Sequence, residues 1–278
     1  MRILKASGER AEFQESRVAA SLRRAGAKEH VIHDILQTLR EELHDEISTK
    51  EIYKRAYHLL KKQDGLTASR YKLKKAIYEL GPTGFPFEKF VAAVFEHSGY
   101  QVEVGKLMKG ACVRHEVDVL AIRDNRKLFI ECKFHRDQAK KCDVKIPLYI
   151  NSRFIDLRTF ELDSSKTDDI QYEGWVVTNS RFTEDAITYG HCAGLQLLGW
   201  DHPEGNSLKE RIDSLGLYPI TVSNLLSTRE KQFLLSRDVV LCRQLVQDNF
   251  FLDKLEVGEK RKQLILDEIE NLIVPLKH

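Results

Sequence analysis

The sequence predicts an α/β protein whose central sheet, with a meander at its centre, lies between a mainly helical N-terminal segment and a helical C-terminal extension. Apolar residues recur at helical spacing up to the breaker pair Gly81-Pro82. Short β-like runs then alternate with helical stretches as far as Pro203, and the pattern is helical again from Ser207. We therefore expect three segments, at residues 1–82, 83–203 and 204–278.

The composition excludes several classes of protein. The 278 residues include 44 Lys plus Arg and 42 Asp plus Glu, a formal charge of +2. Residues 1–82 hold 17 basic and 12 acidic side chains, so the basic excess, which favours anions, is confined to that segment. No apolar run has the length of a spanning helix, no signal-peptide stretch is present, and the five cysteines form no CxxC pair. We expect a cytoplasmic protein without a membrane partner, disulfide framework or zinc ribbon.

The N-terminal segment reads as a small β-hairpin followed by four helices. Two short runs, 2–5 and 12–13, flank Ser7-Gly8 and predict the hairpin. Apolar spacing predicts helices over 13–25 and 28–43, and Thr49 is the expected N-cap of a third helix that runs to about Leu60. A fourth helix is predicted from Ala68 to Leu80.

The central segment predicts the element order α-β-β-β-α-β-α-β. A helix with an apolar stripe ends near Gly99, and β-like runs follow at 101–104, 116–122 and 127–134. A helical stretch at about 143–160 is expected to be interrupted by Pro147. A strand at 174–178, a helix at 183–189 and a strand at 195–200 complete the order.

The second and third β-like runs bring two acidic residues together. Asp124-Asn125 form a natural two-residue turn, and pairing Arg123 with Arg126 places Asp118 directly opposite Glu131. Cross-strand Cβ atoms lie roughly 4.5–5.5 Å apart, close enough for two carboxylates to share a divalent cation. The period of two residues also places Lys133 on the face of Glu131.

The alternative is a solvated surface strand, on which facing acids need no special explanation. The neighbours on both faces are mostly apolar, among them Val117, Val119 and Ile130, which is typical of a buried central strand. Two like charges buried opposite each other are costly without a cation. The pattern therefore favours a metal site over a surface strand.

The spacing of these residues resembles a nuclease family. Asp118, twelve further residues and then Glu131-Cys132-Lys133 are similar to the PD-(D/E)xK signature, and the wider run resembles the Mrr-type restriction endonucleases. Glu88 matches an acidic residue of the preceding helix in that family, and residues 175–179 with 182–183 resemble its later strand-to-helix element. The resemblance covers about residues 84–203 and implies a restriction-endonuclease-like mixed sheet flanked by helices.

The resemblance also implies an Mg²⁺- or Mn²⁺-dependent endonuclease that hydrolyses DNA. Asp118, Glu131 and the carbonyl of Cys132 would hold the metal, while Lys133 would orient water or stabilise the developing charge. Glu88 would support this set or help a second metal. A non-catalytic nucleic-acid-binding protein and a nucleotide-responsive regulator remain alternatives. We expect a homodimer or a higher homo-oligomer.

Other polar side chains near these acids have two interpretations each. His115 and His135 could contact phosphate, although plain polar residues near a strand end are the favoured interpretation. A basic series follows the hairpin and could track a nucleic-acid backbone or form a solvated helix face; it contains Arg136, Lys140, Lys141 and Arg153. The helices after residue 204 could form a nucleic-acid module, although helices that close the core or form a dimer are favoured.

The N-terminal segment resembles an ATP-cone, a nucleotide-sensing domain. The resemblance rests on residues 3–8, Phe13, Arg17, 48–52 and 70–73. It implies that ATP or dATP binds as an allosteric ligand, with Lys5, Gly8, Arg17 and Thr49 as the binding residues. Ala6 stands where a second basic residue is usual, and Arg10 could compensate. The alternative is a cone that has lost its ligand and serves as a DNA- or protein-binding cap.

Overall fold

The computed structural model describes residues 1–5, 8–164, 169–248 and 250–275, and the chain divides into two compact units. One unit contains Met1–Ile77 together with Tyr218–His278, and the other contains Tyr78–Leu217. Residues 204–217 therefore belong to the unit with the central sheet, although the sequence-based boundary lies at 203. Within the described residues, no helix is both long and apolar enough to cross a membrane.

The N-terminal part of the first unit is a small sheet beside five helices. The predicted hairpin is present, because β1 (Arg2–Leu4) pairs antiparallel with β2 (Arg10–Glu12). An unpredicted strand, β3 (Ile47–Ser48), pairs parallel with β1. The helices are α1 (Glu15–Arg24), α2 (Glu29–Glu42), α3 (Thr49–Gln63), α4 (Gly65–Tyr71) and α5 (Leu73–Tyr78). Their apolar stripes form one core, in which Leu22, Ile35 and Leu60 are at most 1% exposed.

Two details of these helices differ from the prediction. The N-cap of α3 is Ser48, because its side-chain oxygen accepts a bond from the amide of Glu51 at 3.1 Å, and Thr49 is already helical. The fourth predicted helix starts earlier and is divided at Lys72, whose amide is shared by the carbonyls of Ala68 and Arg70.

The second unit has the predicted order of elements around a mixed five-stranded sheet. Its elements are α6 (Phe85–Glu96), β4 (Gln101–Lys109), β5 (Arg114–Arg123), β6 (Arg126–Lys133), α7 (Lys145–Ser164), β7 (Gln171–Thr178), α8 (Glu184–Cys192), β8 (Gln196–Leu198) and α9 (Leu208–Leu215). The strand order is β4-β5-β6-β7-β8, antiparallel across the first two pairs and parallel across the last two. Pro147 does not interrupt α7, because it lies in the first turn, where its missing N–H has no intrahelical acceptor.

Helices cover both faces of this sheet. On α6, Phe95 packs edge to face on Trp175 of β7, with ring centroids 5.3 Å apart. The adjacent Gly174 faces α7, since a Cβ built there would lie 2.7 Å from Cγ of Phe154. Neighbouring residues of a strand point to opposite faces, so α6 and α7 lie on opposite sides. The middle residues of β5, β6 and β7 are buried, as their apolar runs predict.

The C-terminal helices complete the first unit. After a short 3₁₀ turn at Ile220–Val222 they are α10 (Thr228–Ser236), α11 (Cys242–Gln247), α12 (Phe250–Lys254) and α13 (Glu259–Leu272). The carboxylate of Glu268 accepts bonds from Ser69 Oγ at 2.9 Å, Ser223 Oγ at 2.5 Å and the amide of Asn224 at 2.8 Å. Ser69 belongs to α4, so this polar network joins the C-terminal helices to the N-terminal ones.

Candidate active site

The antiparallel strands β5 and β6 separate at Asp118. The predicted register is confirmed from Arg123–Arg126 to Val119–Ile130, and Asp124 adopts a φ of 53° in the turn. The ladder ends there, one pair short of the predicted Asp118–Glu131 pairing. Instead, Oδ2 of Asp118 accepts a bond from the amide of Cys132 at 2.7 Å. A side chain thus replaces the next ladder bond and fixes the carboxylate between the two strands.

On its other side, Asp118 is also outside the ladder. The β4–β5 pairing runs from Gln101–Ile122 to Lys109–Arg114 but is interrupted where Gly105 would meet Asp118. Gly105 has a φ of +64°, a conformation that L side chains rarely adopt. Val117 and Leu120 both pack on the α7 side, which a regular alternation of faces does not allow. The local distortion turns Asp118 out of the sheet pattern and into the site.

Three carboxylates act on one another at this point. Burial raises the pKa of Glu88, in the first turn of α6, to about 7, and the charges of Asp118 and Glu116 add to the rise. Burial, then the charge of Asp118, likewise raises the pKa of Glu131 to about 7. The pKa of Asp118 is raised too, mainly by burial. The fold therefore holds acids from a helix and two strands together, at a cost in electrostatic free energy.

Arg153 of α7 is bonded to the same group. Its Nη1 donates to Oε2 of Glu131 at 2.7 Å, and its Nη2 donates to the carbonyl of Glu116. The sequence pattern predicts Arg153 among the basic residues that track a nucleic-acid backbone, whereas the structure places it at the carboxylates. No local pattern reveals this contact, because it depends on how α7 crosses the sheet.

Lys133 completes the arrangement from the end of β6. Its positive charge lowers the pKa of Asp118, and its backbone carbonyl accepts a bond from Thr178 Oγ1 at 2.7 Å. Within the described part of the chain, its ammonium group makes no ion pair or hydrogen bond. The neighbouring Cys132 thiol has a pKa well above its ordinary value, because of burial and the charge of Asp118, so it is a neutral side chain here.

The two histidines near the acids are held by neighbouring side chains. His115 shares a 2.7 Å bond between Nε2 and Oδ2 of Asp156, and Asp156 also accepts the amides of Cys112 and Val113. His135 is buried, and its Nδ1 lies 2.8 Å from Oγ of Ser180. Burial lowers the pKa of His135, which keeps the ring neutral. These contacts favour a structural role for both.

The remaining predicted DNA contacts form an exposed group. Arg136, Lys140 and Lys141 are all exposed, and they lie in the connection that directly follows Lys133. Arg153 lies apart from them, with only 16% of its side chain exposed. The structure thus brings Glu88, Asp118, Glu131 and Lys133 together and places a basic surface next to them along the chain.

The donor set at the carboxylates is small. Among the described residues, no group of three or more His, Cys, Asp or Glu side chains is arranged to hold a metal ion. Mg²⁺ commonly binds through one or two carboxylates and keeps waters and substrate phosphate as its other ligands. Glu131 and Asp118, whose charge helps to raise the pKa of Glu131, fit that smaller set of oxygen donors.

The predicted nucleotide-binding residues lie partly at one end of the small N-terminal sheet. Leu4 of β1 pairs with Ser48 of β3, so Lys5 and Thr49 follow neighbouring strand ends. Gly8 has a φ of +82°, and its amide donates to the carbonyl of Lys5 at 2.9 Å. Arg17 is exposed on α1.

Arg10, the residue that could compensate for Ala6 in nucleotide binding, is held by an ion pair. Ala6 lies outside the described residues. Arg10 forms an ion pair with Glu46, with 2.7 Å between Nη2 and Oε1. Lys5 is likewise paired, with 3.0 Å between its Nζ and Oε2 of Glu9. A bound anion would compete with these exposed pairs.

Comparison with known families assigns the two ends of the chain. Residues 1–78 match the ATP cone domain, so the chain carries an ATP-cone at its N-terminus. Residues 218–273 match the AF1548-like C-terminal domain. Along the sequence, the unit with the carboxylates falls between these two matched regions. The ATP-cone prediction is confirmed, and nucleotide binding is the function that such a domain supports.

Two particular relatives resemble a larger part of the chain. An uncharacterized protein of Archaeoglobus fulgidus is 29% identical over 184 residues, which cover 66% of this chain and 99% of that protein. A crystal structure of AF1548, described as a protein of unknown function, is 29% identical with a TM-score of 0.55 and covers 69% of this chain and 98% of that one. Neither description states an activity.

Proposed function

We propose that the unit from Tyr78 to Leu217 hydrolyses DNA phosphodiester bonds with the help of a divalent cation. The observation that carries this proposal is the set of three coupled carboxylates, two with a pKa of about 7, next to an unpaired lysine. Like charges that are buried together destabilise the fold, and such arrangements are typical of functional sites. The resemblance of Asp118…Glu131-Cys132-Lys133 to the PD-(D/E)xK signature adds the substrate class.

Each residue has a distinct role in this proposal. Asp118, Glu131 and the carbonyl of Cys132 would hold Mg²⁺ or Mn²⁺, which when bound polarises the phosphodiester and lowers the pKa of water. Lys133 orients the attacking water or donates to a phosphate oxygen as negative charge develops there. The bond from the Cys132 amide orients Asp118 in advance. Glu88, the third carboxylate, supports the set from α6.

The ATP-cone supports regulation of this activity by ATP or dATP. Its candidate binding residues are Lys5, Gly8, Arg17 and Thr49. Ser48 caps the helix that begins at Thr49, which leaves a helix N-terminus at the end of β3. Amides at such a position, together with basic side chains, suit a triphosphate.

The test is a cleavage assay on single-stranded, duplex and branched DNA with Mn²⁺ or Mg²⁺, with and without ATP. We expect cleavage by the wild-type protein and its loss in Asp118→Asn and Lys133→Met, with cooperative thermal unfolding showing that both variants are folded. Asp124→Asn is the matched control, because Asp124 is 86% exposed in the turn of the same hairpin. Full activity of Asp118→Asn or Lys133→Met would refute the assignment.

The ATP-cone also favours a second candidate, a nucleotide-responsive regulator without nuclease activity. In that case ATP would change the sedimentation of the wild-type protein, while no DNA would be cleaved with either metal. Nucleotide binding alone does not separate the two candidates, so the cleavage and sedimentation experiments are performed on the same preparation.

A further inference from the structure

Arg153 has the position of an internal cation. It reaches the carboxylates from α7, and both it and its partner are mostly buried, with 16% of the Arg153 side chain and 23% of the Glu131 side chain exposed. Of the described residues, Arg153 is the one cation that is hydrogen-bonded to Glu88, Asp118 or Glu131. The guanidinium thus partly balances the negative charge at the place where a divalent ion would bind.

The exposed ring of Tyr149 offers the guanidinium of Arg153 a second contact besides Glu131. Beside Glu131 lies a small cavity of about 20 Å³, with room for about one water, whose lining includes Arg153 and the apolar side chains of Val117, Phe129 and Ile150. The guanidinium carbon also lies 5.6 Å from the ring centre of Tyr149, which is 61% exposed. The cavity is too small to receive a guanidinium, so an Arg153 side chain that leaves Glu131 can stay over the exposed aromatic face of Tyr149.

We propose that Arg153 is a positioning residue that competes with the divalent cation for Glu131 and, once displaced, binds the phosphodiester. This proposal rests on the proposed function of the same site. Before the ion arrives, the Arg153–Glu131 bond keeps the carboxylate in place and limits the like-charge repulsion. After displacement, the guanidinium carries donors that match two phosphate oxygens. Metal binding and substrate binding are then coupled through one side chain.

The competition is tested by calorimetry with Mn²⁺ alone, without DNA. Removing the competing cation in Arg153→Met is expected to tighten Mn²⁺ binding about tenfold or more, which is the scale of a hydrogen bond between charged groups. The matched control is Arg158→Met, an exposed arginine on the same helix, with the wild-type affinity expected. Equal or weaker Mn²⁺ binding by folded Arg153→Met would overturn the proposal.

A second variant keeps the test informative if Arg153→Met is unstable. Arg153→Lys retains the charge but not the two-pronged reach, so its Mn²⁺ affinity should lie between those of wild type and Arg153→Met. In cleavage assays, Arg153→Met should raise KM for DNA while it binds Mn²⁺ more tightly. An unchanged KM would overturn the phosphodiester role of Arg153.

These readouts separate the proposal from the function on which it rests. Tighter Mn²⁺ binding by Arg153→Met, with no cleavage by any form of the protein, would support the competition and reject the nuclease. No Mn²⁺ binding by wild type, Arg153→Met or Arg153→Lys would overturn both.

Discussion

The raised proton affinity of Glu88 predicts that its replacement stabilises the sheet-containing unit. A pKa raised from 4.5 to about 7 corresponds to about 3 kcal/mol in favour of the neutral form. Because Glu88 is half-buried, solvent screening reduces this to about 1–2 kcal/mol. Glu88→Gln removes the charge and keeps the shape, so the free energy of unfolding at pH 8.5 should rise by about 1–2 kcal/mol.

The pH dependence follows from the sign of the shift. A carboxyl with a raised folded-state pKa binds more protons in the folded than in the unfolded state, so its charge destabilises the fold above pH 7. Below pH 4.5 both states are protonated and the penalty disappears. The advantage of Glu88→Gln should therefore grow from pH 5 to pH 8.5.

The assay is urea denaturation in EDTA, followed by tryptophan fluorescence. Both tryptophans of the chain, Trp175 and Trp200, belong to the unit that contains Glu88, so the signal reports that unit. Glu96→Gln is the control, because Glu96 is exposed at the other end of α6. The reasoning is refuted if Glu88→Gln is no more stable than Glu96→Gln at pH 8.5, or if its advantage is the same at pH 5.

Two further predictions concern packing and the polar network. Gly174→Ala should lower the free energy of unfolding by about 1–3 kcal/mol, because the new Cβ would lie 2.7 Å from Cγ of Phe154. The measurement is thermal unfolding, and Gly258→Ala is the comparison, because a Cβ at that position meets nothing within 4 Å. Glu268→Ala leaves three donors without their acceptor and should cost at least about 2 kcal/mol in urea denaturation followed by circular dichroism. The exposed Glu270→Ala should be neutral, and equal stability of the two variants would contradict the network's role.

Local sequence determined the elements and much of the hairpin that carries the acids. The turn at Asp124-Asn125 and the alternation of β6 were sufficient to predict the register from Arg126 onward, since turn geometry and a period of two act over short distances. The helical stripes and the ATP-cone at the N-terminus could also be predicted, because their signals lie within single elements. The N-cap of α3 could not be predicted to the residue, because the choice between Ser48 and Thr49 depends on one side-chain bond.

Only the tertiary structure decided how the site is assembled. The separation of the strands at Asp118, the positive φ of Gly105 and the bond from Arg153 to Glu131 all depend on neighbours distant in sequence. The pKa values of about 7 for Glu88 and Glu131 have the same origin, because burial and like charges act through space rather than along the chain. The joining of the C-terminal helices to the ATP-cone through Glu268 likewise has no local signal. Sequence thus determined which groups are available, and the packing of α6 and α7 on the sheet determined which of them meet.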